Sequence, residues 1–142
     1  MVHSLNKGKR WELEASKILS VSTKAEWHRV PMSGAFSTNN PRLQANQFKG
    51  DVFTENETLK HITIECKATR FLSMNMLFNK KSMLHQWITK LEFTNSEWCL
   101  LVKPDNQGAY AFSPNPETLE LLFPGVKPLM KLLFVYYVVK IK

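Results

Sequence analysis

Cys66 and Cys99 are the only cysteines in 142 residues, a count that excludes a disulfide framework and a four-thiolate zinc site. Each sits in an apolar run that reads as a strand, and a reducing cytoplasm suits both. No stretch approaches the roughly 18 consecutive apolar residues of a membrane span. Lys7, Lys9 and Arg10 are followed by no continuous apolar region of the signal-peptide kind, so the protein is expected to stay in the cytoplasm. Internal repeats are absent, and one domain over residues 1–142 is the expectation. Acid is also scarce: 12 Asp and Glu stand against 19 Lys and Arg, for a net charge of +7. That excess favours an anionic partner such as nucleic acid without establishing one. The 44% hydrophobic content argues against disorder. His28, His61 and His85 lack paired metal-ligand spacing, so structural or surface roles are expected for them.

The chain reads as an α/β alternation. Leu5, Trp11, Ala15, Ile18 and Leu19 share one stripe of a helix from about Leu5 to Val21. Glu26 to Val30 suggests a strand that Pro31 ends. Met32 to Lys49 is polar and aperiodic and reads as a long mobile loop. Asp51 to Thr54 and Leu59 to Thr69 read as a hairpin. The second strand alternates cleanly, with Ile62, Ile64, Cys66 and Ala68 on one face and Thr63, Glu65, Lys67 and Thr69 on the other. A second amphipathic helix is expected over Lys80 to Phe93, and a hairpin over Trp98 to Val102 and Ala109 to Phe112. Pro114, Pro116, Pro124 and Pro128 break up the chain before a late strand over Leu132 to Ile141. The fold expected is a central mixed, twisted β-sheet flanked by helices.

Asp51 opens one strand of the first hairpin, and Glu65 and Lys67 project from the same face of the other. Two carboxylates converging there make a hard oxygen site suited to Mg²⁺ or Mn²⁺. Such an ion activates water and neutralises charge developing on a phosphate. A lysine beside it can orient or help deprotonate that water. Taken alone, a Glu-x-Lys pair on a strand is ordinary surface chemistry. Cys66 points to the apolar face and reads as a small core residue, although its backbone carbonyl is available to a metal. At about 100° per residue Glu12 shares the stripe of Ala15 and Leu19 and can face inward, whereas Glu14 turns towards solvent.

Gly50-Asp51 followed by Glu65-Cys66-Lys67 resembles the PD-(D/E)XK nuclease pattern, an acid opening one strand and (D/E)-x-K in the next. Lys7-Gly8-Lys9-Arg10-Trp11-Glu12 resembles the Lys-Gly-x-x-x-Glu opening of archaeal-type Holliday junction resolvases within that superfamily. Arg29-Val30-Pro31-Met32-Ser33-Gly34 resembles their Arg-x-x-x-Ser-Gly segment. The likeness extends from about Lys7 through Phe112. It departs at Leu13, where many relatives carry a basic residue, and at the unusually long loop after Met32.

The resemblance implies a restriction-endonuclease-like fold and catalysis by Glu12, Asp51, Glu65 and Lys67. Mg²⁺, with Mn²⁺ able to substitute, would be held by Asp51, Glu65 and the Cys66 carbonyl, with Glu12 at a second metal or a water. Arg29, Ser33, Lys7, Lys9 and Lys49 would contact DNA. The implied reaction is Mg²⁺-dependent hydrolysis of DNA phosphodiesters leaving 5′-phosphate and 3′-hydroxyl ends. The implied substrate is branched, four-way-junction DNA, nicked in paired fashion by a homodimer whose interface comes from Leu132 to Val139 or from the second helix. Two rivals stand beside it: an endonuclease of the same superfamily acting on other branched, single-stranded or duplex DNA, and an inactive DNA-binding module of the same fold.

Overall fold

The structure is a computed structural model that describes residues 2–30, 50–94, 97–127, 129–132 and 136–141. Helix α1 (Val2–Thr23) leads into the two-residue strand β1 (His28–Arg29), then β2 (Val52–Phe53) and β3 (Thr63–Thr69). Two helices follow, α2 (Met74–Phe78) and α3 (Met83–Thr94), before β4 (Trp98–Pro104) and β5 (Tyr110–Ser113). Helix α4 (Pro116–Leu122) precedes β6 (Met130–Leu132) and β7 (Tyr136–Lys140). The strands form one mixed sheet in the order β1-β2-β3-β4-β5-β7-β6. Among the described residues no helix is long and apolar enough to cross a membrane.

All strand pairs are antiparallel except β3 with β4, which run parallel with Glu65 beside Leu100 and Lys67 beside Val102. A parallel pair needs a crossover, and the α2–α3 segment supplies it. The alternation of β3 and β4 then sorts the core into two layers. Ile64, Cys66, Cys99 and Leu101 face α1 and α4, where they pack with Trp11, Ala15, Leu19, Leu119 and Leu122. Trp98, Leu100, Val102 and Phe112 face α3 through Leu84, Ile88 and Leu91. The Trp11 indole N–H donates to the Leu101 carbonyl at 3.0 Å and ties α1 to the middle of the sheet. Full burial of an aliphatic side chain such as Leu19 or Ile64 contributes about 1.5–3 kcal/mol.

Several boundaries differ from the sequence expectation for physical reasons. The strand expected over Glu26 to Val30 is two paired residues, because Trp27 turns into the core and its indole donates to Thr23 Oγ1 at 2.9 Å. The strand expected from Leu59 starts at Thr63: residues 57–61 form a turn whose Leu59 and the following Ile62 are nonetheless buried. Helix α2 was not expected, yet Ser73 caps it by accepting from the Met76 amide. Helix α4 lies where prolines were read as breakers. Asn115 accepts from the Glu117 amide and Pro116 occupies the first turn, where its missing N–H costs nothing. The late strand is two strands, with β7 inside the sheet between β5 and β6. The loop expected over Met32 to Lys49, with Ser33 and Lys49, lies outside the described residues.

Candidate active site

Asp51 sits where the pairing of β2 with β3 runs out. Its amide donates to the Ile64 carbonyl at 2.8 Å and its own carbonyl accepts from Val30 at 2.9 Å. One carboxylate oxygen accepts from the Cys66 amide at 2.8 Å. Three hydrogen bonds therefore pin this acid to two neighbouring strands. The approach depends on Gly50, whose φ of +79° is a backbone conformation that side-chain-bearing residues avoid. A methyl group at Gly50 would overlap the Ile64 carbonyl oxygen.

Glu65 and Lys67 lie further along β3, half-buried, on the face that α3 covers. Lys67 Nζ is 3.9 Å from Glu65 Oε1 and 5.7 Å from the centre of the Trp87 ring. Glu12, on the inward flank of α1, accepts from Arg29 Nε at 2.8 Å. The structure thus brings Glu12, Asp51, Glu65 and Lys67 into one electrostatic neighbourhood. Arg29 enters it through its ion pair with Glu12. Lys7 pairs with Asp105 at 2.8 Å, joining the start of α1 to the turn after β4, and Lys9 is exposed.

The charges are crowded. Burial pushes the Glu65 carboxyl up to about 7, helped by the negative charges of Asp51 and Glu12 and opposed by Lys67 and Lys90. Burial also raises Asp51, against the lowering effect of the Cys66 amide, Lys67 and Arg29. Glu12 is raised by burial and by Asp51, with Arg29 opposing. These three acids crowd negative charge into one neighbourhood, which makes each harder to ionise. Among the described residues no set of three or more His, Cys, Asp or Glu side chains is gathered to hold a metal. Asp51 and Glu65 alone fit Mg²⁺, which needs only one or two carboxylates and keeps water and phosphate as its other ligands.

The remaining candidates have other occupations. His85 Nε2 lies 2.7 Å from the Leu77 carbonyl, His61 pairs with Glu97 at 2.9 Å, and His28 packs its ring against Phe53. Cys66 is buried, and burial raises its thiol well above the ordinary value, which suits a core residue rather than a nucleophile. Sequence reasoning missed Trp87 and Lys90, because periodicity placed both on α3 without showing that α3 crosses the face of Glu65 and Lys67.

A mixed α/β sheet with an acid at one strand's entry and Glu-x-Lys on its neighbour is the architecture of restriction-endonuclease-like nucleases. A family model described as "Phage putative PDDEXK endonuclease" matches residues 3–137, and the chain belongs to this family of nucleases. It is similar to Protein D14 of Escherichia phage T5, with 33% identity over 113 residues, covering 73% of this chain and 66% of that protein. A search of solved structures gives no match.

Proposed function

We propose that this nuclease is a Mg²⁺-dependent, structure-selective DNA endonuclease that resolves four-way junctions by paired nicks as a homodimer. The observation that supports it most is Asp51, held by three hydrogen bonds at the point where β2 leaves β3, beside Glu65 and Lys67 and facing Glu12. Asp51 and Glu65 would hold such an ion, with the Cys66 carbonyl as a further oxygen ligand. When bound, it would supply charge neutralisation at the scissile phosphate and a more acidic water. Lys67 orients the attacking water beside the phosphate. The Trp87 ring behind its ammonium limits where that charge can go. Glu12 and Arg29 act as a pair: the carboxylate shares the field of Asp51, and the guanidinium donors not engaged by Glu12 would take phosphate oxygens. Lys7, Lys9, Ser33 and Lys49 add backbone contacts that hold DNA without reading its bases.

The sequence pattern from Lys7 to Glu12 and from Arg29 to Gly34 favours junctions over other DNA, since a nuclease triad alone requires neither segment. A four-way junction has two equivalent scissile strands, which two symmetry-related sites match. The test is a synthetic junction labelled on each strand in turn, incubated with Mg²⁺ beside a matched linear duplex. The expected result is two opposed strands nicked at related positions and an intact duplex. Equal cleavage of both substrates would leave an endonuclease and defeat the resolvase reading.

A further inference from the structure

The outer face of α3 carries a cleft that shares with the proposed site only Lys90, whose charge also reaches Glu65. Its volume is about 440 Å³, and Lys80, His85, Gln86, Thr89, Lys90 and Phe93 line it. Gln86, Lys90 and Phe93 recur at helical spacing on the face opposite the core residues Leu84, Ile88 and Leu91. The His85 ring closes the floor with its Nε2 against the Leu77 carbonyl. Phe93 is 92% exposed, the most exposed of the large apolar side chains described. A bare aromatic beside two lysines is the combination that takes a stacked base and its flanking phosphates. The cleft also adjoins the active site along one helix: Trp87, one turn before Lys90, lies against Lys67.

We propose that this cleft binds an unpaired strand of nucleic acid, with Phe93 stacking on a base, Lys80 and Lys90 meeting successive phosphates, Gln86 donating to the backbone or base edges, and Thr89 Oγ1, whose hydrogen goes to the His85 carbonyl, accepting from a base edge. The proposal rests on the nuclease reading only for direction, because a strand leaving the site past Trp87 runs into the cleft. A second copy of the chain fits less well. A two-fold contact centred here would bring Lys80 and Lys90 of each copy together, and like charges oppose it.

The test is fluorescence anisotropy of the full chain with a labelled oligo-dT of about 16 nucleotides, in EDTA so that nothing is cut. A matched duplex and sedimentation velocity accompany each titration. Phe93→Ala is expected to weaken oligo-dT binding roughly ten-fold and duplex binding by less than about two-fold, and Phe93→Tyr to restore it. Lys80→Ala and Lys90→Ala are each expected to lower the salt slope for oligo-dT by about 0.7. Phe93 is so exposed that its removal leaves the core intact. Unchanged oligo-dT affinity in Phe93→Ala would overturn the proposal. So would a fall in sedimenting mass with strand affinity unchanged, which would assign the cleft to a second copy. Since the assay reads binding without divalent metal, loss of the cleft and loss of junction cleavage are separate results.

Discussion

At the residue scale the account turns on how three acids share a small volume. Glu65 titrates near 7 in the folded chain, against about 4.3 in an unfolded one. The folded state therefore binds the extra proton, and this group's contribution to stability is present below about pH 4.3 and lost as pH rises through about 7. Without metal, Glu65→Gln should raise the melting temperature relative to the parent at pH 8, by roughly 3 °C, and leave it nearly unchanged at pH 4. Mg²⁺ should remove that advantage by stabilising the parent alone. Scanning fluorimetry of both proteins with EDTA and with Mg²⁺ checks this, and a variant less stable than the parent at pH 8 in EDTA would contradict the crowding of charge. Lys67→Ala should keep metal binding but slow cleavage by roughly 10²–10⁴-fold, since its role is towards water and phosphate. Calorimetric loss of Mg²⁺ binding in a folded variant would contradict that role.

At the element scale, short strand pairings position the site. The β2–β3 ladder is only Val52 beside Ile64, reinforced by the Asp51 amide and the Cys66 amide-to-carboxylate bond. Gly50→Ala forces a left-handed backbone onto alanine at about 1–2 kcal/mol and adds the overlap with Ile64. Chemical denaturation should show a loss of at least that size, together with cleavage reduced beyond what the remaining folded fraction explains. A variant of parental stability and activity would show that Asp51 does not depend on this turn. Much of this was legible in the sequence. The alternation of β3 gave the face of Glu65 and Lys67, and the stripe of α1 gave an inward Glu12. The prolines after Ser113 misled, because Pro116 starts a helix when an Asn caps it. The amphipathic pattern of α3 sets it across the sheet, but not on the face of the site: which face a crossover covers depends on the parallel β3–β4 pairing, and a single strand's pattern does not encode its partner. The sequence suggests only a phosphate contact for Arg29. Its ion pair with Glu12 depends on β1 lying against β2, a tertiary fact.

For the whole molecule, the net charge of +7 should make DNA binding fall steeply with salt, with a slope near −0.9 per duplex phosphate neutralised. Filter binding across a salt series checks this, and a flat response would point to a partner other than nucleic acid. The sheet places β7 between β5 and β6, so an interface built by strand addition at that end would use β6. The central claim is that Asp51 anchors a metal-dependent nuclease site, and it is tested most directly by cleavage of a labelled four-way junction over a Mg²⁺ titration with parent and Asp51→Asn protein. Asn keeps the shape of the acid and removes its charge. Metal contributes several kcal/mol to the cleavage transition state, so the account predicts Mg²⁺-dependent cutting by the parent, a loss of about a thousand-fold or more in the variant, and similar junction binding by both. Cutting by Asp51→Asn at the parental rate would contradict it.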